Sequence, residues 1–152
     1  MDPRSDLENR ALRYLARREY SRLELQQKLS IHAHVFAPEV LGEVLDKLEQ
    51  AGYLSAQRAI EQIIRNRRSR FGNQRILHEL RTKGFDDHTI DVVLPELQAS
   101  ESEAAMMVWQ KKFGVLPDSQ EERAKQIRFM MSRGFSMKMI NQVFRQVNED
   151  SR

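Results

Sequence analysis

The sequence predicts an all-α fold of three tandem three-helix units, helix-turn-helix-like repeats stacked in an elongated or curved array. Three observations carry this. Apolar residues recur at helical spacing from end to end. Prolines are confined to positions 3, 38, 95 and 117, and no alternating β-branched run suggests a strand. Finally, one pattern returns twice: Leu41, Val44, Leu45 and Leu48 correspond to Ile90, Val93, Leu94 and Leu97, and again to Ile140, Val143, Phe144 and Val147. The preceding turns match as well, Lys83-Gly84-Phe85-Asp86 with Arg133-Gly134-Phe135-Ser136. The units are therefore placed at 1–54, 55–99 and 100–152. A unit of that size buries little surface alone, so its neighbours are expected to complete each core.

The first helix is predicted over 6–18, with Leu7, Ala11, Leu12 and Leu15 on one side. Ser21 with Glu24 has the capping-box spacing and opens the second, whose inner face is Leu25 and Leu29. Residues 30–37, with His32 and His34, read as a connector before Pro38 starts a third helix that ends at Gly52. Further helices are expected near 56–69, 74–83, 87–98, 101–113, 119–132 and 137–148. Pro95 should kink the sixth or move its start.

Charge is distributed in blocks. Residues 1–57 carry −1, 58–85 carry +6, 86–122 carry −7 and 123–152 carry +5, so the overall +3 says little about partners. With no cysteine, disulfides, thiolate metal sites and cysteine nucleophiles are excluded. No apolar leader opens the chain and no apolar run reaches membrane length, which reads as a cytoplasmic monomer.

Enzyme chemistry finds no support: there is no phosphate-binding glycine loop, nucleophile elbow or HExxH. His32 and His34 stand two apart with no evident third ligand, so a surface loop is the reading taken and no metal or cofactor is assigned. His78 and His88 read as surface or cap residues. The basic stretch is more informative. Arg65, Arg67, Arg68, Arg70 and Arg75 fall within eleven residues around a helix–turn–helix corner broken at Phe71-Gly72-Asn73. Guanidinium forks suit phosphates and carboxylates. Two readings stand: a contact surface for an anionic partner, or a solvated face paired with Asp86, Asp87 and Asp91. Arg67 shares the azimuth of Ile60 and Ile63 and leans to the structural role. Phe85, with counterparts at Phe135 and Tyr53, reads as repeat core, whereas Phe71 is the better candidate for an exposed ring. Trp109 should pack with Ala105 and Phe113, and Met106, Met107, Met130, Met131, Met137 and Met139 read mainly as adaptable core.

Across almost the whole chain, these residues resemble the RecX family of bacterial regulators of the RecA recombinase. The resemblance rests on Ala11, Leu15, Arg18, Ser21, Glu24, Leu25, Lys28, Leu29 and Gly52-Tyr53-Leu54 in the first unit. In the second it rests on Arg65, Arg68, Gly72, Arg75, Ile76, Glu79, Leu80, Lys83 and Gly84. In the third it rests on Ala105, Lys112-Phe113-Gly114, Arg128-Phe129 and Arg133-Gly134-Phe135. After Leu54 the family's usual acidic residues and Arg-aromatic-Ala are replaced by Ser55-Ala56-Gln57-Arg58-Ala59-Ile60; Ser55 still suits a cap.

The resemblance implies a non-catalytic protein that binds RecA and lies along the groove of its DNA filament. It implies suppression of filament growth, ATP hydrolysis, strand exchange and co-protease activity, hence modulation of DNA repair and the SOS response. Non-specific DNA binding is also implied. On this reading Arg65, Arg68, Arg70, Arg75, Arg81 and Lys83 form the RecA/DNA contact surface, with Arg128, Arg133 and Lys138 secondary. A rival reading is a stand-alone DNA-binding protein of helix-turn-helix type, with Asn73 and Gln74 at a helix start reading base edges. A helical scaffold for another acidic partner is a third.

Overall fold

Eight helices follow one another in the computed structural model, which describes residues 2–32 and 38–151; no strand occurs among these residues. They are α1 (Pro3–Arg17), α2 (Arg22–Ser30), α3 (Pro38–Gln50), α4 (Ala56–Arg67), α5 (Asn73–Thr82), α6 (Asp87–Lys112), α7 (Gln120–Ser132) and α8 (Met137–Asp150). The fold is all-α, with three consecutive three-helix sets in which the long α6 serves as the last helix of the second and the first of the third. His34 lies outside the described residues.

One expectation is overturned. The separate helices near 87–98 and 101–113 are a single 26-residue helix, α6, which runs through Pro95. Proline removes one backbone donor, but the following residues keep helical geometry. At the expected break the Ser100 hydroxyl donates to the Glu96 carbonyl at 2.9 Å, a bond made within the helix in place of a cap.

Contact density divides the chain into two compact units. Residues 1–62 with 80–89 form the first, and residues 63–79 with 90–152 the second. In the first unit Leu7 and Ala11 of α1, Leu25 and Leu29 of α2, and Val44, Leu45 and Leu48 of α3 form one core with Tyr20 and Leu54. The predicted capping box closes α2: Ser21 Oγ accepts from Glu24 N–H at 3.0 Å while Glu24 Oε1 accepts from Ser21 N–H at 3.0 Å. The buried Ser21 hydroxyl also donates to the Lys83 carbonyl at 2.7 Å. Ser55 accepts from Arg58 N–H at 3.2 Å, as its position suggested. Tyr53 departs from its counterparts, being 57% exposed where Phe85 and Phe135 are buried.

In the second unit Ala104, Ala105 and Trp109 of α6 pack with Met130 of α7, Phe135, and Ile140, Val143 and Phe144 of α8. Trp109 Nε1 donates to buried Gln126 Oε1 at 2.8 Å, and Gln126 Nε2 donates to the Val115 carbonyl at 3.0 Å. A buried indole and a buried amide thereby satisfy each other. Met106, Met130 and Met139 join this core, whereas Met107, Met131 and Met137 are exposed.

Glycines with positive φ sit in two different environments. Gly52 (φ 83°) faces open space, but a Cβ at Gly134 (φ 93°) would lie 2.7 Å from the Arg75 backbone nitrogen. Gly52→Ala should therefore cost about 1–2 kcal/mol from backbone conformation alone. Gly134→Ala adds a steric penalty against fixed backbone, for a total loss of about 3 kcal/mol or more. Urea unfolding of both variants measures the difference; equal losses would remove the steric argument.

Candidate partner-binding surface

The basic corner is assembled by two turns that touch. After α4 the chain turns through Phe71, and the Gly72 N–H donates to the Arg133 carbonyl at 2.7 Å. The Gln74 N–H donates to the Gly134 carbonyl at 3.1 Å. A Cβ at Gly72 would lie 2.4 Å from the Gly134 oxygen, so only glycine allows this approach. The turn leading into α5 and the turn between α7 and α8 are thus joined backbone to backbone within the second unit.

Inside this junction the Asn73 N–H donates to Oε2 of the buried Glu101 at 2.7 Å. Arg68 is turned inward beside it. Its guanidinium donates to the Phe71 carbonyl at 3.1 Å, to the Leu97 carbonyl at 3.0 Å, and to Asn73 Oδ1. Burial pushes the Arg68 guanidinium below its ordinary value, and the nearby charges of Glu101 and Glu96 oppose that. Arg68 therefore organises the corner from within. Arg67 is also internal to the unit, pairing with Glu79 through Nε at 2.9 Å, and that hydrogen bond raises its pKa.

The outward cations converge on aromatic rings. Above the half-buried Phe71 ring lie the guanidiniums of Arg75 at 4.2 Å, Arg70 at 5.3 Å and Arg133 at 5.7 Å. Arg133 also stands 5.1 Å from the Phe129 ring, as does the Lys112 ammonium. Arg75 is held by donating to the Ser132 carbonyl at 3.2 Å. A cleft of about 530 Å³ opens here, lined by Ser69, Arg70, Met107, Val108, Lys111, Lys112, Phe129 and Arg133. Each cation–π contact contributes about 0.5–1 kcal/mol when exposed. Among the described residues no carboxylate pairs with Arg70, Arg75, Arg133, Lys111 or Lys112.

The other candidates are dispersed. Arg65 and Arg128 are exposed outside the cleft lining, and Lys138 belongs to α8. In the first unit Arg81 is exposed, while the Lys83 ammonium lies 3.8 Å from Glu24. Arg58, part of the basic stretch, clamps the end of α3: it pairs with Glu19 at 3.0 Å and donates to the Gly52 carbonyl at 2.6 Å. No ion pair reaches Asp86, Asp87 or Asp91 among the described residues. Asp86 instead accepts from the Thr89 hydroxyl at 2.7 Å and from Thr89 N–H at 2.8 Å, and these bonds, the hydroxyl's first, hold its carboxyl below the usual range. Sequence reasoning missed Lys111, Lys112 and Phe129 as partners of the corner. The two lysines fall in the block with a net −7, and block arithmetic concealed them.

The family profile described as "RecX, third three-helix domain" matches residues 100–144. A regulatory protein RecX of Ralstonia nicotianae is 42% identical over 90% of this chain and 85% of its own length. A regulatory protein RecX of Leptothrix cholodnii is 42% identical over 94% and 90%. The crystal structure of RecX from Lactobacillus salivarius superposes with a TM-score of 0.80 at 21% identity, covering 97% of each chain, which shows the shared fold. The chain belongs to the RecX family of regulatory proteins.

The geometry separates two neighbouring arginines. Arg68→Ala removes three hydrogen bonds and strips the buried Glu101 of a nearby positive charge, so about 2–4 kcal/mol of stability should be lost. Arg65→Ala should stay within about 0.5 kcal/mol of the parent. Chemical denaturation checks both, and an undiminished Arg68→Ala would show that its internal bonds contribute little.

Proposed function

We propose that this member of the RecX family restrains RecA by seating the cationic face of its second unit on the RecA–DNA filament. The observation that supports this most directly is the gathering of Arg70, Arg75 and Arg133 on the Phe71 ring with no carboxylate among the described residues paired to them. Like charges held together repel, and an external anion relieves that repulsion. The family resemblance supplies RecA as the partner. Arg70, Arg75 and Arg133 are the proposed centre of contact, with Arg65, Arg128 and Lys138 as further contacts of the second unit and Arg81 as a separate one on the first. Arg68 acts from inside the second unit, and Lys83 is a separate contact candidate on the first. The step is non-catalytic: occupying the groove excludes DNA and repressor and so damps recombination, ATP hydrolysis and the SOS response. A cytoplasmic protein acting as a monomer fits this role.

The stand-alone DNA-reading alternative finds no comparable support. Asn73, one of its two base-reading residues, already holds Arg68 with its side chain and Glu101 with its backbone.

The test is RecA ATPase on single-stranded DNA with the protein titrated in. Inhibition is expected from the parent chain. The exposed double variant R70E/R75E should fold normally by circular dichroism yet need at least about tenfold more protein for the same effect. Unchanged inhibition by that variant would remove the cluster from the mechanism, and absence of inhibition by the parent would remove RecA.

A further inference from the structure

A second cationic depression lies in the second unit, on α7 and α8, and is lined in part by Arg123, Lys138, Asn141, Arg145 and Asn148. We infer that this cleft is a binding site for a nucleotide-sized phosphorylated anion. Its volume, about 740 Å³, falls in the range typical of small-molecule sites, about 300–1,000 Å³. Three cations line it and no Asp or Glu does. None of the three has an ion-pair partner among the described residues.

Arg123 is preset: its guanidinium stands 5.0 Å from the Phe144 ring and donates to Asn141 Oδ1 at 3.1 Å. Asn141 and Asn148, both lining residues, add two carboxamides, and with its oxygen taken by Arg123 Asn141 keeps its amide nitrogen as a donor. Guanidiniums and an ammonium suit phosphate oxygens, while carboxamides suit sugar hydroxyls or base edges.

An independent observation comes from α8 itself. Its first turn holds Lys138 and no acid, and its last turn holds Glu149 and Asp150 and no base. Both ends carry the sign that the helix dipole disfavours. Lys138 therefore weakens its own helix, which a role toward an anion accounts for and a role in folding does not.

The test is calorimetric titration of the full chain with ATP and, separately, with inorganic triphosphate, without RecA. Saturable binding of both is expected. R145Q and K138E should each weaken it about tenfold or more, the scale of one lost charge-assisted hydrogen bond. K138E should also melt no lower than the parent, because it reverses the unfavourable helix-end charge. R70E/R75E should bind as the parent does, which keeps this site distinct from the Phe71 cluster at the centre of the proposed RecA surface, although Lys138 is assigned to both. The inference is overturned if neither ligand saturates, if both cleft variants bind normally, if R70E/R75E loses binding, or if only an oligonucleotide strand binds.

Discussion

The second unit depends on two turns approaching to backbone contact at Gly72 and Gly134. Here the N–H groups of Gly72 and Gln74 find carbonyls in another turn, and any side chain at either glycine would collide with backbone. The approach sets the position of everything charged around it. Phe71 precedes the first glycine and Arg133 the second, so joining the turns brings ring and guanidinium together. Arg75, in the first turn of α5, reaches the same ring because its own backbone lies under Gly134. A cationic surface built this way is as rigid as its glycine crossing. That matters physically, since an immobilised guanidinium loses little further freedom on binding.

The arginines divide into those neutralised by the protein and those left to solvent, and among the described residues every ion pair but Arg67–Glu79 lies in the first unit. The first unit contains Arg4–Glu43, Arg10–Asp6, Arg18–Glu24, Arg22 with Asp46 and Glu49, Lys47–Glu8 and Arg58–Glu19. Such surface pairs contribute little each, but they cancel the field that the first unit would otherwise project. The second unit holds fourteen Lys/Arg against ten Asp/Glu, and the cations around Phe71 and Phe129 have no such partners among the described residues. Uncancelled charge persists in a fold when neighbouring aromatic faces and backbone carbonyls position it.

Legibility in the sequence followed the range of the interaction. Caps and helix periodicity are set within four residues, so Ser21 with Glu24, Ser55 and the recurring apolar faces were plain. The fusion of two helices into α6 was not, because the repeat set a unit boundary at 99–100, and nothing local there shows that the helix runs on into the next unit. Phe85 and Phe135 are buried as the repeat implied, but Tyr53 occupies the same register and is exposed: its hydroxyl removes the gain from burial unless a partner exists. For charges the limit was sharper. Arg65 and Arg68 look alike in a basic run, yet three residues of helix rotation turn Arg68 toward Leu97 and Glu101. Lys111 and Lys112 join the corner over a separation of some forty residues, which no local pattern encodes.

A helix–turn–helix corner usually suggests that the second helix offers its N-terminal N–H groups to a phosphate. In this chain that route is closed. Gly72, Asn73 and Gln74 give their N–H groups to Arg133, Glu101 and Gly134, and Glu101 already supplies the negative charge that the dipole of α5 attracts. Any anion must then be held by side-chain cations, which recognise charge more than sequence. Binding of that kind weakens steeply with salt, because it rests on charges exposed to solvent and the displacement of counterions. It also tolerates many anionic surfaces, so selectivity for one partner has to come from shape and from the apolar floor that Met107, Val108 and Phe129 give the cleft.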